Sequence, residues 1–185
     1  RQVVRQVPIE DRVAEQNRQD RQIMLERVYS RWITGILEPS LKGKIPIALE
    51  LHEQLDLVEN PLEDIIQESH QPTLLPSTTH ITEFYDTAGR QLLILGEPGS
   101  GKTTLLLELA RDLIERAKQD DNYKIPVVFN LASWSVKRQP LADWLVEELT
   151  SRYQVPPKRA QSWIDANQVL PLLDGLDEVA TEHLT

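Results

Sequence analysis

The chain has 185 residues, of which 40% are hydrophobic and 26% are charged, and its formal net charge at neutral pH is -9. This length suits one domain of ordinary size with an appendage, and this composition is that of a globular chain rather than a disordered one. The chain has no cysteine, which excludes disulfides, thiolate metal sites and cysteine nucleophiles, and no apolar run is long enough to span a bilayer. The basic N-terminus lacks the apolar stretch of a secretory signal, so we expect a cytoplasmic protein.

The first segment, residues 1–44, is predicted to be an amphipathic helix from about Glu10 to Leu37. Its apolar positions at helical spacing include Leu25, Val28, Trp32 and Ile36. Gly35 and Pro39 are expected to end the helix, because glycine and proline both disfavour a continuing helix. The basic residues of the segment are interleaved with acidic ones, so neither nucleic acid nor a membrane surface is indicated as a partner.

The second segment, residues 45–80, is acidic and is interrupted by Pro61, Pro72 and Pro76. This composition favours short helical or extended pieces over one long element. We therefore interpret the segment as a linker that packs on the surface of the main domain.

Strand and helix signals alternate from Gln91 onward. The apolar run Leu92–Leu95 is typical of a strand that is buried on both faces. Two further strands are predicted at Ile125–Leu131 and Val169–Leu173, and helices are predicted at Lys102–Lys118, Pro140–Tyr153 and Pro157–Ala166. This order predicts an α/β fold with a partial parallel sheet of three strands flanked by helices, and a ligand crevice at the carboxyl ends of the strands.

A glycine-rich turn between the first predicted strand and its helix carries the strongest functional signal. It matches the phosphate-loop pattern, which requires a preceding strand and a following helix. The residues assigned to nucleotide binding are Gly96, Glu97, Pro98, Gly99, Ser100, Gly101, Lys102, Thr103 and Thr104. The glycines let successive backbone N–H groups point at phosphate oxygens, and the helix N-terminus adds its positive dipole. Lys102 is expected to neutralise the β and γ phosphates, and the Thr103 hydroxyl to bind Mg²⁺.

A second motif follows the last predicted strand, where Asp174 ends an apolar run and Asp177 and Glu178 come shortly after. Carboxylates suit Mg²⁺, which keeps most of its waters and takes few protein ligands. We assign Asp174 to the metal site and Lys102, Asp177 and Glu178 to catalysis. Lys102 acts through its charge on the phosphates, whereas Asp177 or Glu178 orients the attacking water or takes its proton. An Asp-Gly pair at a strand end is also typical of a simple turn. The functional interpretation of this motif therefore depends on the phosphate loop that precedes it.

These two motifs together resemble the NACHT family of STAND nucleotide triphosphatases. Members of that family have a small residue directly after the magnesium aspartate and an acidic pair two residues beyond it, as at Gly175, Asp177 and Glu178. The strand at 125–134 and the segment 31–37 resemble the corresponding parts of bacterial multidomain members. The resemblance implies an ATP-driven switch, in which ADP holds a resting state and ATP permits self-oligomerisation and signalling. Residues 81–185 would then be the N-terminal part of a NACHT domain, truncated after its second motif.

Two other functions stay open at this point. One is a nucleotide-binding module that signals by occupancy without hydrolysis, and the other is a different P-loop ATPase or kinase. The transporter signature Leu-Ser-Gly-Gly and the guanine-reading Asn-Lys-x-Asp are both absent from the sequence, which favours adenine. Because the family's later strands do not follow, we expect ATPase activity to belong to a longer protein and this chain alone to be incompetent.

Overall fold

The computed structural model describes residues 9–42, 52–53, 73–74, 80–137 and 139–176. The chain divides into two compact units, the larger formed by Arg1–Lys42 with Leu93–Thr185 and the smaller by Gly43–Leu92. The elements in chain order are α1 (Ile9–Val28), a π-helix (Tyr29–Leu37), α2 (Glu38–Leu41), β1 (His52–Glu53), β2 (Thr73–Leu74), α3 (Ile81–Thr87), α4 (Lys102–Gln119), β3 (Ile125–Asn130), α5 (Ala132–Lys137), α6 (Leu141–Tyr153), α7 (Pro157–Asp165) and β4 (Val169–Asp174).

The sheet of the larger unit consists of β3 and β4, which pair in parallel from Ile125 opposite Val169 to Asn130 opposite Asp174. Two predicted strands and the helices between them are thereby confirmed, and the fold is α/β. The parallel register brings the carboxyl ends of both strands to the same edge of the sheet. Asp174 therefore lies beside the end of β3, where the sequence predicts a ligand crevice.

The prediction of a third strand at Leu92–Leu95 is wrong. These residues pair with no strand in the part of the chain that the structure describes, and the boundary between the two units falls between Leu92 and Leu93. Leu92, Leu93 and Leu95 are 39%, 46% and 57% exposed. An apolar run becomes a buried parallel strand only when neighbouring strands supply hydrogen bonds and layers cover both faces, and here neither condition holds.

Helices α4 and α6 pack on the sheet through large apolar side chains. On α4, Leu113 and Ile114 are fully buried, as are Trp144 and Leu149 on α6. The Phe129 ring of β3 lies 5.6 Å from the Trp144 ring and 6.2 Å from the Tyr153 ring, centroid to centroid. These tilted and edge-to-face arrangements are the favourable ones for aromatic pairs, and they place the core of the unit between β3 and α6.

The N-terminal helix is longer than predicted, because α1, the π-helix and α2 form one continuous helix to Leu41. Gly35 lies inside the π-helix, and Pro39 follows the point where the backbone N–H of Glu38 donates to the Ile33 carbonyl, five residues earlier. This wider turn shifts the carbonyls that proline would otherwise meet, so the helix continues past both predicted stops.

The π-helix also changes which side chains are buried. Trp32, Ile33 and Leu37 face the core, whereas Ile36, which the α-helical spacing places on the apolar stripe, is 43% exposed. A π-helix needs more residues per turn than an α-helix, so the buried face moves from Ile36 to Leu37. The helix packs against α4, α6 and β3 within the larger unit.

The smaller unit contains a short antiparallel pair, β1 with β2, and the helix α3. Within α3, Ile81 and Tyr85 are buried. The predicted packing of residues 45–80 on the main domain lies almost entirely outside the described residues. Within the described ranges, none of the helices combines the length and the hydropathy that a membrane span requires.

Candidate functional site

The turn that leads into α4 contains two glycines with left-handed backbone angles. Gly99 and Gly101 adopt φ angles of 78° and 94°, and Gly101 is the residue directly before the helix. These angles lie in the left-handed region that residues with a Cβ rarely adopt, which explains the glycine requirement at both positions. The backbone N–H of Ser100 donates to the Glu97 carbonyl at 3.1 Å and closes the turn.

Lys102 lies at the mouth of this loop, at the first position of α4. Its Nζ donates to the carbonyls of Gly96 at 2.8 Å and Glu97 at 3.2 Å, so the loop itself holds the ammonium group. The first backbone N–H groups of a helix have no partner within the helix and carry a partial positive charge. A cationic side chain and a helix N-terminus therefore meet at one point, as an anion site requires.

The structure brings together the two residues that the sequence assigns to Mg²⁺. The hydroxyl of Thr103 donates to Oδ1 of Asp174 at 2.9 Å, although the two residues are 71 positions apart. Asp174 is fixed at the end of β4, and its carbonyl accepts the N–H of Leu131 at 2.9 Å. A hydroxyl and a carboxylate in contact form an all-oxygen donor pair, which is the ligand chemistry that Mg²⁺ prefers.

The remaining predicted site residues have different placements. Glu97, Pro98 and Ser100 lie on the exposed turn, and Thr104 is half-buried in the first turn of α4. Asp177 and Glu178 lie outside the described residues. The described ranges contain no group of three or more side chains of the kind that hold a metal by themselves. A metal that takes only two protein ligands and completes its shell with water and phosphate needs no such group.

Sequence reasoning missed a polar network behind Asp174, at the end of β3. The Asn130 side chain accepts the N–H of Ala132 at 2.9 Å, which turns the chain out of the sheet. The Ser133 hydroxyl accepts from Trp144 Nε1 at 3.1 Å and lies 3.1 Å from both the Asn130 carbonyl and Oε1 of the buried Glu148. An asparagine at a strand end followed by a serine three positions later was the available signal. The network ties the strand end to α6.

A glycine-rich turn at a helix N-terminus, a lysine at its mouth and a threonine in contact with a strand-end aspartate define a P-loop nucleotide-binding protein. The family model of the NACHT domain matches residues 90–184, which is just over half of the chain. The chain therefore belongs to the NACHT domain family, whose members are nucleotide-binding NTPases of the STAND kind. Comparison with curated proteins and with solved structures gave no match.

Proposed function

We propose that the chain binds ATP and ADP together with Mg²⁺, and that Thr103 and Asp174 hold the metal while the loop from Gly96 to Gly101 holds the phosphates. The hydrogen bond between Thr103 and Asp174 carries this proposal, because it joins the phosphate loop to the carboxylate of a distant strand. Bound Mg²⁺ would neutralise charge on the β and γ phosphates. The absence of a guanine-reading motif in the sequence supports ATP over GTP.

The predicted site residues have distinct tasks in this proposal. Lys102 exchanges its two carbonyl acceptors for phosphate oxygens, so the loop carbonyls keep the ammonium group in place until a nucleotide arrives. The first N–H groups of α4 and the loop amides bind phosphate oxygens. Thr103 and Asp174 would supply their hydroxyl and carboxylate oxygens to Mg²⁺. Asp177 or Glu178 orients the attacking water or accepts its proton.

The experiment that tests nucleotide binding compares the dissociation constant for ATP in Mg²⁺ and in EDTA. Wild-type protein is expected to bind ATP at least about tenfold more tightly in Mg²⁺, whereas Asp174→Asn, which keeps the shape and the acceptor oxygen, should lose most of that difference. Asp165→Asn, an exposed change at the end of α7, is the matched control and should behave as wild type. Equal affinity in Mg²⁺ and EDTA for wild-type protein would refute the metal assignment.

We further propose that slow hydrolysis of ATP controls self-oligomerisation and signalling, as the family implies. Sedimentation with ATP and with ADP tests this on the purified chain and, where its gene encodes a longer protein, on that protein. ATP should shift the distribution to larger species, and Lys102→Ala should abolish the shift. Glu178→Gln should slow phosphate release by about 100-fold or more if Glu178 acts on the water. An unchanged slow rate in Glu178→Gln would favour the non-hydrolysing module instead.

A further inference from the structure

Helix α4 is held at both ends, and the two ends have different partners. Its N-terminus carries the phosphate loop, whereas its C-terminus is held by Arg21 of α1. Nη2 of Arg21 donates to the carbonyl of Ala117 at 2.9 Å and to that of Asp120 at 3.1 Å. The last carbonyls of a helix have no partner within it and carry a partial negative charge, so a guanidinium group is a favourable cap.

This cap is buried rather than superficial. Arg21 is only 8% exposed, and burial lowers the pKa of its guanidinium group while Asp121 and Asp120 oppose that effect. A second contact lies beside it, where Nζ of Lys118 sits 4.5 Å from the centre of the Tyr29 ring, a cation–π distance. Both contacts join the N-terminal helix to the last turns of α4.

The other polar contacts of the N-terminal helix reach different elements. Arg27 donates to the carbonyls of Tyr153 and Gln154 at the end of α6. Asp20 pairs with Nη2 of Arg159 on α7 at 2.9 Å. The Arg21 cap and the neighbouring Lys118–Tyr29 contact therefore act on the helix of the phosphate loop, whereas the Asp20–Arg159 pair joins α1 to α7 and provides a comparison on the same helix.

We propose that Arg21 is a positioning residue for the phosphate site, so that the N-terminal helix, which lies outside the family-matched residues 90–184, is a working part of the nucleotide-binding unit. This inference rests on the nucleotide binding proposed above. An α-helix of 18 residues is about 27 Å long and moves as a rigid element, so fixing its C-terminus limits how far its N-terminus can slide or tilt. The Thr103–Asp174 contact depends on that placement, because Thr103 belongs to α4 and Asp174 to the sheet.

The test measures both Mg·ATP affinity and the free energy of unfolding for Arg21→Gln, Arg21→Lys and Arg159→Gln. Arg21→Gln removes the charge and the fork of donors at the end of α4, and we expect it to weaken Mg·ATP binding about fivefold or more. Arg21→Lys keeps the charge with fewer donors and should give an intermediate affinity. Arg159→Gln breaks the pair with Asp20 and should leave the affinity within about twofold of wild type.

Each outcome decides the inference. Weaker binding in Arg21→Gln with wild-type affinity in Arg159→Gln supports it, and partial recovery in Arg21→Lys strengthens it. Wild-type affinity in Arg21→Gln despite lower stability overturns it, as do equal losses of affinity in Arg21→Gln and Arg159→Gln. Should Arg21→Gln fail to fold, wild-type affinity in Arg21→Lys overturns it. If wild-type protein does not bind Mg·ATP, the proposed function itself fails, and the wild-type measurement alone shows this.

Discussion

Strand β3 and the segment leading into the phosphate loop are both apolar in sequence, but β3 is buried and the segment is exposed. Val127, Val128 and Phe129 are at most 1% exposed, whereas Leu93 and Leu95 are 46% and 57% exposed. The stability of the unit therefore resides in β3 and the helices that cover it, whereas the phosphate loop is held by a few hydrogen bonds and by glycine geometry. This contrast predicts that substitutions in the two regions separate folding from nucleotide binding.

The largest expected effect on stability comes from Phe129→Ala. This change removes a buried ring that packs against Trp144 and Tyr153, and it should lower the free energy of unfolding by about 3–5 kcal/mol. Urea denaturation measures the loss, and Phe129→Leu, which keeps most of the volume, should lose clearly less. If Phe129→Ala also weakens Mg·ATP binding by about 3–5 kcal/mol under conditions where the variant is folded, then folding and nucleotide binding do not depend on different regions.

Lys102→Ala is expected to weaken nucleotide binding while leaving stability nearly unchanged. Because the ammonium group donates to carbonyls of the exposed loop, its loss should change the free energy of unfolding by less than about 0.5 kcal/mol. Its loss should weaken Mg·ATP binding by about 100-fold, because the charge that faces the phosphates is gone. Calorimetric titration measures the affinity, and Lys124→Ala, away from the loop, is the control. Retained affinity in Lys102→Ala would contradict the assignment of the loop.

Tyr153→Phe tests the buried link between the N-terminal helix and the sheet. The hydroxyl accepts from Trp32 Nε1 at 2.7 Å and donates to the Val128 carbonyl, so its removal leaves two buried groups unpaired. We expect a loss of about 2 kcal/mol in the free energy of unfolding at pH 7. Urea denaturation with unchanged stability in Tyr153→Phe would show that the link contributes nothing.

The same variant carries a pH signature. Burial raises the pKa of Tyr153 to about 12, whereas the hydrogen bond from Trp32 opposes that shift. The folded state therefore favours the neutral phenol, and this stabilisation is complete below the unfolded pKa near 10 and is lost as the pH rises toward 12. The stability advantage of wild type over Tyr153→Phe should shrink by about 1 kcal/mol between pH 9 and pH 11. A constant difference would rule out the buried neutral phenol.

A matched pair of glycine substitutions is expected to have a modest effect on stability. Gly99 in the phosphate loop and Gly89 after α3 both have left-handed φ angles, 78° and 64°, and an added Cβ would meet no atom within 4 Å at either position. Gly99→Ala and Gly89→Ala should therefore each cost about 1 kcal/mol of backbone strain. Only Gly99→Ala should also weaken Mg·ATP binding. Equal Mg·ATP affinities in the two variants would show that the backbone conformation at Gly99 does not affect nucleotide binding.

The sequence predicts the parts of the molecule whose signals are local. The loop glycines, Lys102 and Thr103 stand in one short motif, and the strands at 125–130 and 169–174 are apolar runs of the expected length. Parallel pairing of these two strands then follows from the helices between them. Thr103 and Asp174 are both assigned to Mg²⁺ from the sequence, and their contact forms although Leu92–Leu95 is not a paired strand.

The features that the sequence predicts wrongly or does not predict depend on residues that are distant in the chain. Whether Leu92–Leu95 forms a strand depends on neighbouring strands, and an apolar run does not show whether those strands are present. Arg21 and Arg27 cap helices that end 96 to 127 positions further along the chain. Because the acceptor in each case is a backbone carbonyl, the residue type at the accepting position gives no sequence signal. The π-helix likewise depends on the packing of Ile33 and Leu37 rather than on a sequence signal.

The most direct test is a double-mutant cycle on Thr103 and Asp174, read out as the ratio of ATP dissociation constants in EDTA and in Mg²⁺. If the two side chains hold one metal ion, Thr103→Val and Asp174→Asn should each reduce the ratio, the double variant should lose little more than the more damaging single one, and Thr103→Ser should retain the wild-type ratio. Additive losses, or a wild-type ratio in either single variant, would contradict a shared metal site.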